Sequence, residues 1–177
     1  RQTTDPKEKE DLQIINRNAQ YLLSLVNQLI DLRKIDTQNL TLNYSQFNFS
    51  KFLNTTTTDF SSLMKERNIS FEKIYRLKSD HIYSDKENLH KILFNLLSNA
   101  IKHTPDKGKI TLHANQFIDK SNKLMQFISV TNSGSIIAPD EIDKIFNRFY
   151  RIPEQNKYTN YGQSSTGIGL HIVKELI

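Results

Sequence analysis

The sequence predicts an α+β fold in which helices pack on a mixed sheet, preceded by one bundle-type helix. Two patterns carry this expectation. Apolar residues recur in steps of three and four over residues 12–29 and again over 89–100, and apolar and polar residues alternate over 109–117 and 124–131. The 177 residues, 37% hydrophobic and 24% charged, suffice for one compact domain and a modest appendage.

From Leu12 onward, Ile15, Ala19, Leu22, Val26 and Leu29 form one helical seam, which Leu23 and Ile30 widen. A seam this broad requires a second helix or a second copy of the chain to cover it. Residues 39–50 read as a connector in which Tyr44, Phe47 and Phe49 alternate as an edge strand, with a domain boundary near Leu42. The expected division is therefore 1–43 and 44–177. Residues 51–66 read as a helix carrying Phe52, Leu53, Phe60, Leu63 and Met64, weakened by four β-branched threonines at 55–58.

Short strands are expected at 69–74 and 81–83, and longer ones at 109–117 and 124–131. Between the two pairs, Ser84 and Glu87 suit a capping box for a helix whose core face is Leu89, Ile92, Leu93, Leu96, Leu97 and Ala100. Thr104-Pro105 ends that helix. Residues 141–150 read as a short helix with Ile142, Ile145, Phe146 and Phe149 inward. Residues 152–165 are polar without apolar periodicity and read as a mobile loop; Gly167-Ile168-Gly169 then opens a last apolar helix over 170–177. No internal repeat is visible.

Composition excludes several classes of function. With no cysteine there is no disulfide and no thiolate metal site, which fits a reducing compartment. No apolar run approaches the roughly 18 residues of a membrane span, and no signal peptide is visible. The net charge of +5 is scattered, without a basic run interleaved with aromatics, so no nucleic-acid partner is expected. The chain opens at Arg1 and stops at Ile177 inside an expected helix, so it reads as a piece of a longer protein.

Asn95, Asn99, Lys102 and His103 stand at helical offsets of zero, four, seven and eight, on one stripe beside the core face. Two amide oxygens one turn apart suit a hard cation such as Mg²⁺, and a lysine one turn on can neutralise a phosphate oxygen. A solvated polar face is the other reading of the same stripe, although two asparagines are poor mid-helix residues. Gly167-Ile168-Gly169 before a helix offers backbone N–H groups to an anion, or simply makes a turn. Asn132-Ser133-Gly134 reads as a turn when taken alone.

Taken in order, Asn95 through Pro105, Asn132-Ser133-Gly134, Ile145 through Tyr150, and Thr166-Gly167-Ile168-Gly169-Leu170 form a much rarer combination. With these segments the chain resembles the catalytic and ATP-binding domain of bacterial sensor histidine kinases, matching that family's N, G1, F and G2 boxes. The resemblance covers about residues 44–177 and implies a two-layer α/β sandwich of the histidine-kinase ATPase type, truncated at its C-terminus. Residues 12–42 resemble the second helix of the family's dimerisation and phosphoacceptor hairpin. Within them, 22–34 is similar to hybrid two-component sensors of Bacteroides-type bacteria.

The resemblance implies binding of ATP with Mg²⁺ and transfer of the γ-phosphoryl group to a histidine. Asn95 and Asn99 would hold the metal, and Asn95 and Lys102 would serve the transfer. The nucleotide site would comprise Asn95, Asn99, Lys102, His103, Asn132, Gly134, Ile137, Arg148, Tyr150, Thr166, Gly167, Ile168, Gly169 and Leu170. Implied partners are a phosphoacceptor helix, a receiver domain of a response regulator, and a second copy in a full-length homodimer. The implied location is the cytoplasmic portion of a membrane-anchored bacterial receptor.

Some positions depart from the family pattern. Asn132 stands where the family usually has Asp, exchanging a charged acceptor for a neutral one at a cost of order 1 kcal/mol. Ile136 replaces the second glycine of the G1 box and Ser165 the first glycine of the G2 box. None of His81, His90, His103, His113 and His171 precedes an acidic residue as the family's acceptor histidine does, so this chain is expected not to phosphorylate itself.

Two other readings compete. One is a degenerate scaffold that dimerises without nucleotide, which the three departures favour. The other is an ATP hydrolase of the related gyrase and Hsp90 fold, in which a glutamate activates water. Asn95 stands at that position, and an amide cannot take the proton.

Overall fold

The structure, a computed structural model, describes residues 6–37, 39–134, 136–152 and 166–177. Helix α1 (Pro6–Asp36) leads into β1 (Tyr44–Asn48), α2 (Phe49–Thr58), α3 (Ser61–Glu66), β2 (Ser70–Arg76), β3 (His81–Asp85) and α4 (Lys86–Lys102). Strands β4 (Lys109–Ile118) and β5 (Leu124–Asn132) follow, then two 3₁₀ turns and α5 (Gly169–Leu176). The order β2-β4-β5 makes a mixed sheet, parallel between β2 and β4 and antiparallel between β4 and β5; β1 and β3 pair separately as an antiparallel ribbon.

Alternation along β4 places Ile110, Leu112 and Ala114 on the buried face. Opposite them lie Leu93, Leu97, Ala100 and Ile101 of α4 with Phe49, Phe52 and Leu53 of α2. Helices on one face of a mixed sheet are the layered arrangement that the periodicities predict. Burying side chains of this size stabilises by about 1.5–3 kcal/mol each, whereas one helix cap contributes about 1 kcal/mol. Packing rather than capping therefore holds α4 in register with the sheet.

The cap itself differs from expectation. Asp85, not Ser84, caps α4: its Oδ1 accepts from Asn88 N–H at 2.9 Å and its Oδ2 from Asn43 N–H at 2.7 Å. Ser84 is committed to strand pairing with Ser45. Burial opposes ionisation of Asp85, but the N–H groups of Asn88, Asn43 and Glu87 outweigh it and hold the pKa below the usual carboxylate range.

The helix expected over 51–66 is broken in two. The hydroxyls of Thr57 and Thr58 both donate to the Asn54 carbonyl at 2.9 Å, and Phe60 N–H turns back to Thr57 O at 3.3 Å. Residues 141–150 are not an α-helix but are held by 3₁₀ turns at Pro139–Glu141 and Lys144–Phe146. Ile145 and Phe146 are half-buried as expected, while Ile142 and Phe149 are exposed. The Glu141 carboxylate ties this segment together, accepting from Lys144 Nζ at 3.1 Å and from the Tyr150 hydroxyl. The loop expected at 152–165 lies, from residue 153 on and including Ser165, outside the described residues.

Along α1 the seam is exposed at Leu12, Ile15, Leu22, Leu23, Val26, Leu29 and Ile30, whereas Leu32 is buried. The helix meets the domain through polar pairs: Asp31 with Lys91 at 2.6 Å, and Gln28, which accepts from the Thr166 hydroxyl at 2.8 Å. No helix among the described residues is long and apolar enough to cross a membrane.

Candidate functional site

The C-terminal half of α4 supplies one wall. Asn95 and Asn99 are half-buried one turn apart, Lys102 is the last helical residue and His103 is the C-cap. Asn95 Nδ2 donates to the Lys91 carbonyl at 2.9 Å. Its Oδ1 approaches α5 so closely that a Cβ on Gly169 would lie 2.6 Å away. A larger side chain at 169 would displace that amide, so the stripe on α4 meets the start of α5.

The end of α4 is closely held. Its last carbonyls have no helical partner, and each of several finds another: His103 N–H returns to Asn99 O at 3.0 Å, and the Thr104 hydroxyl donates to Ala100 O at 2.5 Å. Asn132 Nδ2 reaches His103 O at 3.4 Å, a long contact, and a Cβ on Gly134 would fall 1.6 Å from the same oxygen. The turn after β5 thus lies directly against the backbone of residue 103.

Two side chains on this wall are left unsatisfied. Lys102 Nζ and His103 Nδ1 are buried atoms with no hydrogen-bond partner among the described residues. Burial pushes the Lys102 pKa down to about 8, helped by the nearby charge of Arg151; burial and then Lys102 lower that of His103. Around neutral pH the wall presents one ammonium and one neutral imidazole.

On the opposite side, Gly167 has φ +70°, and a Cβ there would lie 2.6 Å from the Phe149 carbonyl carbon. Phe149, itself at φ +62°, donates its N–H to Gly167 O at 2.9 Å. The segment 145–150 and the 166–170 segment are therefore locked backbone to backbone. Ile168 is buried, Leu170 is half-buried and the Thr166 hydroxyl accepts from Ile168 N–H at 3.1 Å.

The sequence model of the histidine kinase-, DNA gyrase B- and HSP90-like ATPases matches residues 84–177. The chain belongs to that family. It is 35% identical to a histidine kinase P4 of Formosa agariphila over 93% of this chain and 12% of that protein. A sensor histidine kinase, TmoS, of Ectopseudomonas mendocina is 34% identical over 93% of this chain and 16% of its own length. Among solved structures, histidine kinase ThkA in complex with the response regulator TrrA superposes with a TM-score of 0.64 at 25% identity, covering 83% of this chain and 42% of that one. The domain is thus an ATP-binding catalytic domain of the sensor histidine kinase type, spanning a small part of the relatives it matches.

The expected residues of this kinase-type ATPase domain do not all face one space. Asn95, Asn99, Lys102, His103, Asn132, Gly134 and Gly169 converge on the end of α4. Tyr150 is engaged with Glu141, Ile137 is 37% exposed, and Ile136 is 90% exposed. Arg148 is committed elsewhere: Nη1 donates to Asp36 Oδ2 at 2.9 Å, Nη2 to the other carboxylate oxygen, and Nε to His171 Nε2 at 2.8 Å. It joins α1 to α5. Arg151, which sequence reasoning did not single out, is the cation that acts on Lys102, and no local periodicity marks it.

The donor set fits a nucleotide with a metal. A buried ammonium with no partner among the described residues suits a phosphate oxygen, and a glycine held under Asn95 lets backbone approach one. The two amide oxygens fit Mg²⁺, a cation that shares its shell with phosphates and water.

Proposed function

We propose that this domain binds MgATP at the end of α4, and that in the whole protein it passes the γ-phosphoryl group to a histidine other than the five in this sequence. The observation that carries this reading is the pair of buried groups, Lys102 Nζ and His103 Nδ1, unpartnered among the described residues, beside the Asn95 and Asn99 amides. Lys102 pairs with a phosphate, and His103 hydrogen-bonds the nucleotide. Asn132 spends its amide nitrogen on His103 O, leaving its oxygen to accept from the adenine amino group. Gly134, Ile137, Thr166, Gly167, Ile168, Gly169 and Leu170 line the site through backbone or close contact. Arg148 and Tyr150 reach it only by exchanging their present partners.

Mg²⁺, when bound by Asn95 and Asn99, neutralises phosphate charge. The residues themselves position and neutralise rather than react covalently, as phosphoryl transfer requires. The bond from Pγ to the bridging oxygen breaks, an N–P bond forms on the acceptor imidazole, and ADP leaves. Asn95 cannot take a proton from water, which disfavours hydrolysis.

Partners follow the same reading: a phosphoacceptor helix, and a receiver domain like that of the response regulator bound to ThkA. The names of the sensor histidine kinase relatives support placing the domain in a sensor protein, and we propose that it forms the cytoplasmic part of a membrane-anchored receptor. The exposed seam on α1 supports a homodimer. Leu22→Glu combined with Val26→Glu is expected to abolish self-association in sedimentation equilibrium; an unchanged mass would remove the seam as the dimer contact.

Transfer is tested with γ-labelled ATP and Mg²⁺. The chain alone is expected to remain unlabelled at histidine, and label is expected on an added phosphoacceptor hairpin of the same parent protein. Stable phosphohistidine on the chain alone would overturn the assignment of the acceptor, and an unlabelled hairpin would overturn the kinase reading.

A further inference from the structure

We infer that Arg67 is a positioning residue for Lys102 in the nucleotide site, acting through the backbone that carries it. This rests on the nucleotide reading above. Arg67 closes α3, far in sequence from the site, and its side chain is only 4% exposed. Its guanidinium donates from Nη1 to Ile101 O at 2.7 Å, from Nη2 to Thr104 O at 2.6 Å, and from Nε to Asp106 Oδ1 at 2.9 Å.

The two carbonyls it holds lie immediately on either side of residues 102 and 103. The guanidinium therefore spans the dipeptide whose Lys102 Nζ and His103 Nδ1 are buried without partners among the described residues. Its own carbonyl accepts from Lys107 N–H at 3.0 Å, so the turn 104–108 is drawn onto the same residue. Asn132 and Gly134 fix His103 O from the other side. Clamped on both flanks, the backbone sets where Lys102 begins, and a long flexible side chain gains direction only from such an anchor.

The action is geometric rather than through charge. The charged group that acts on Lys102 is Arg151. A lysine at 67 keeps the positive charge at the end of α4, but its single ammonium cannot reproduce a planar fork that reaches two carbonyls and a carboxylate together.

The test is binding of a non-hydrolysable ATP analogue with Mg²⁺, beside adenosine, to the parent chain, Arg67→Lys, Arg67→Met and Asp106→Ala. Each Arg67 variant is also made in a Lys102→Met background. Arg67→Lys is expected to weaken analogue binding about fivefold to tenfold, to leave adenosine binding within about twofold, and to add nothing further in the Lys102→Met background. Equal losses for analogue and adenosine, or a full additional loss without Lys102, would show a general structural role and overturn the inference, as would unchanged binding. If both Arg67 variants fail to fold, Asp106→Ala, which removes the acceptor of one arm of the fork, is judged by the same criteria. A parent chain that binds neither ligand defeats the nucleotide reading itself, a result distinct from normal binding by the Arg67 variants.

Discussion

Lys102→Met is expected to lower affinity for an ATP analogue by roughly 10- to 150-fold, the value of a hydrogen bond to a charged group, while raising the melting temperature of the nucleotide-free domain. Both effects have one cause. The ammonium is buried without a partner among the described residues and its pKa has fallen to about 8, first through burial and then through Arg151. Methionine fills similar space without a charge to desolvate. Because the folded pKa lies below the usual lysine value of 10.5, the unfolded chain holds the extra proton between those two values. Stability therefore rises with pH from about 8 to 10.5 and is lowest, as far as this group matters, below 8. Thermal melts across that range should show a slope in the parent that is smaller in the variant. A variant that melts lower at neutral pH would mean that Lys102 is stabilised by a contact within the domain.

Gly134→Ala is the second large effect, and it acts on the fold and the site together. The added Cβ would lie 1.6 Å from His103 O and 2.7 Å from His103 C, both backbone atoms that cannot rotate aside. Either the turn after β5 or the end of α4 must move. The expected cost is about 3 kcal/mol, at the upper end of overpacking, or a fall of roughly 6–12 °C in melting temperature for a chain of this size. Analogue affinity should fall as well, because the residue displaced is the one beside Lys102. A melting temperature within about 2 °C of the parent would show that the close approach is relieved at little cost.

The parts of this domain that were legible in the sequence are those fixed by local pattern. The face of α4 is set by its apolar period, so the polar stripe from Asn95 to His103 fell where the spacing placed it. The alternation of β4 likewise identified its buried side. What escaped the sequence depends on partners far along the chain. Ile142, Ile145, Phe146 and Phe149 have a helical spacing, yet Phe149 is pinned to Gly167 and the segment forms tight turns. Asp85 displaced Ser84 as the cap because its carboxylate also holds Asn43 N–H, 42 residues away. Arg148 meets Asp36, 112 residues away, and Arg67 meets carbonyls 34 and 37 residues on. No window of sequence contains such pairs.

Calorimetric titration of the chain with a non-hydrolysable ATP analogue, with and without Mg²⁺ and beside Asn99→Ala, tests most directly whether the end of α4 is a nucleotide site. Binding that depends on Mg²⁺ and is lost in Asn99→Ala is the expected result. No binding by the parent chain, with the fold intact by circular dichroism, would contradict it and make a dimerising scaffold the better description of this domain.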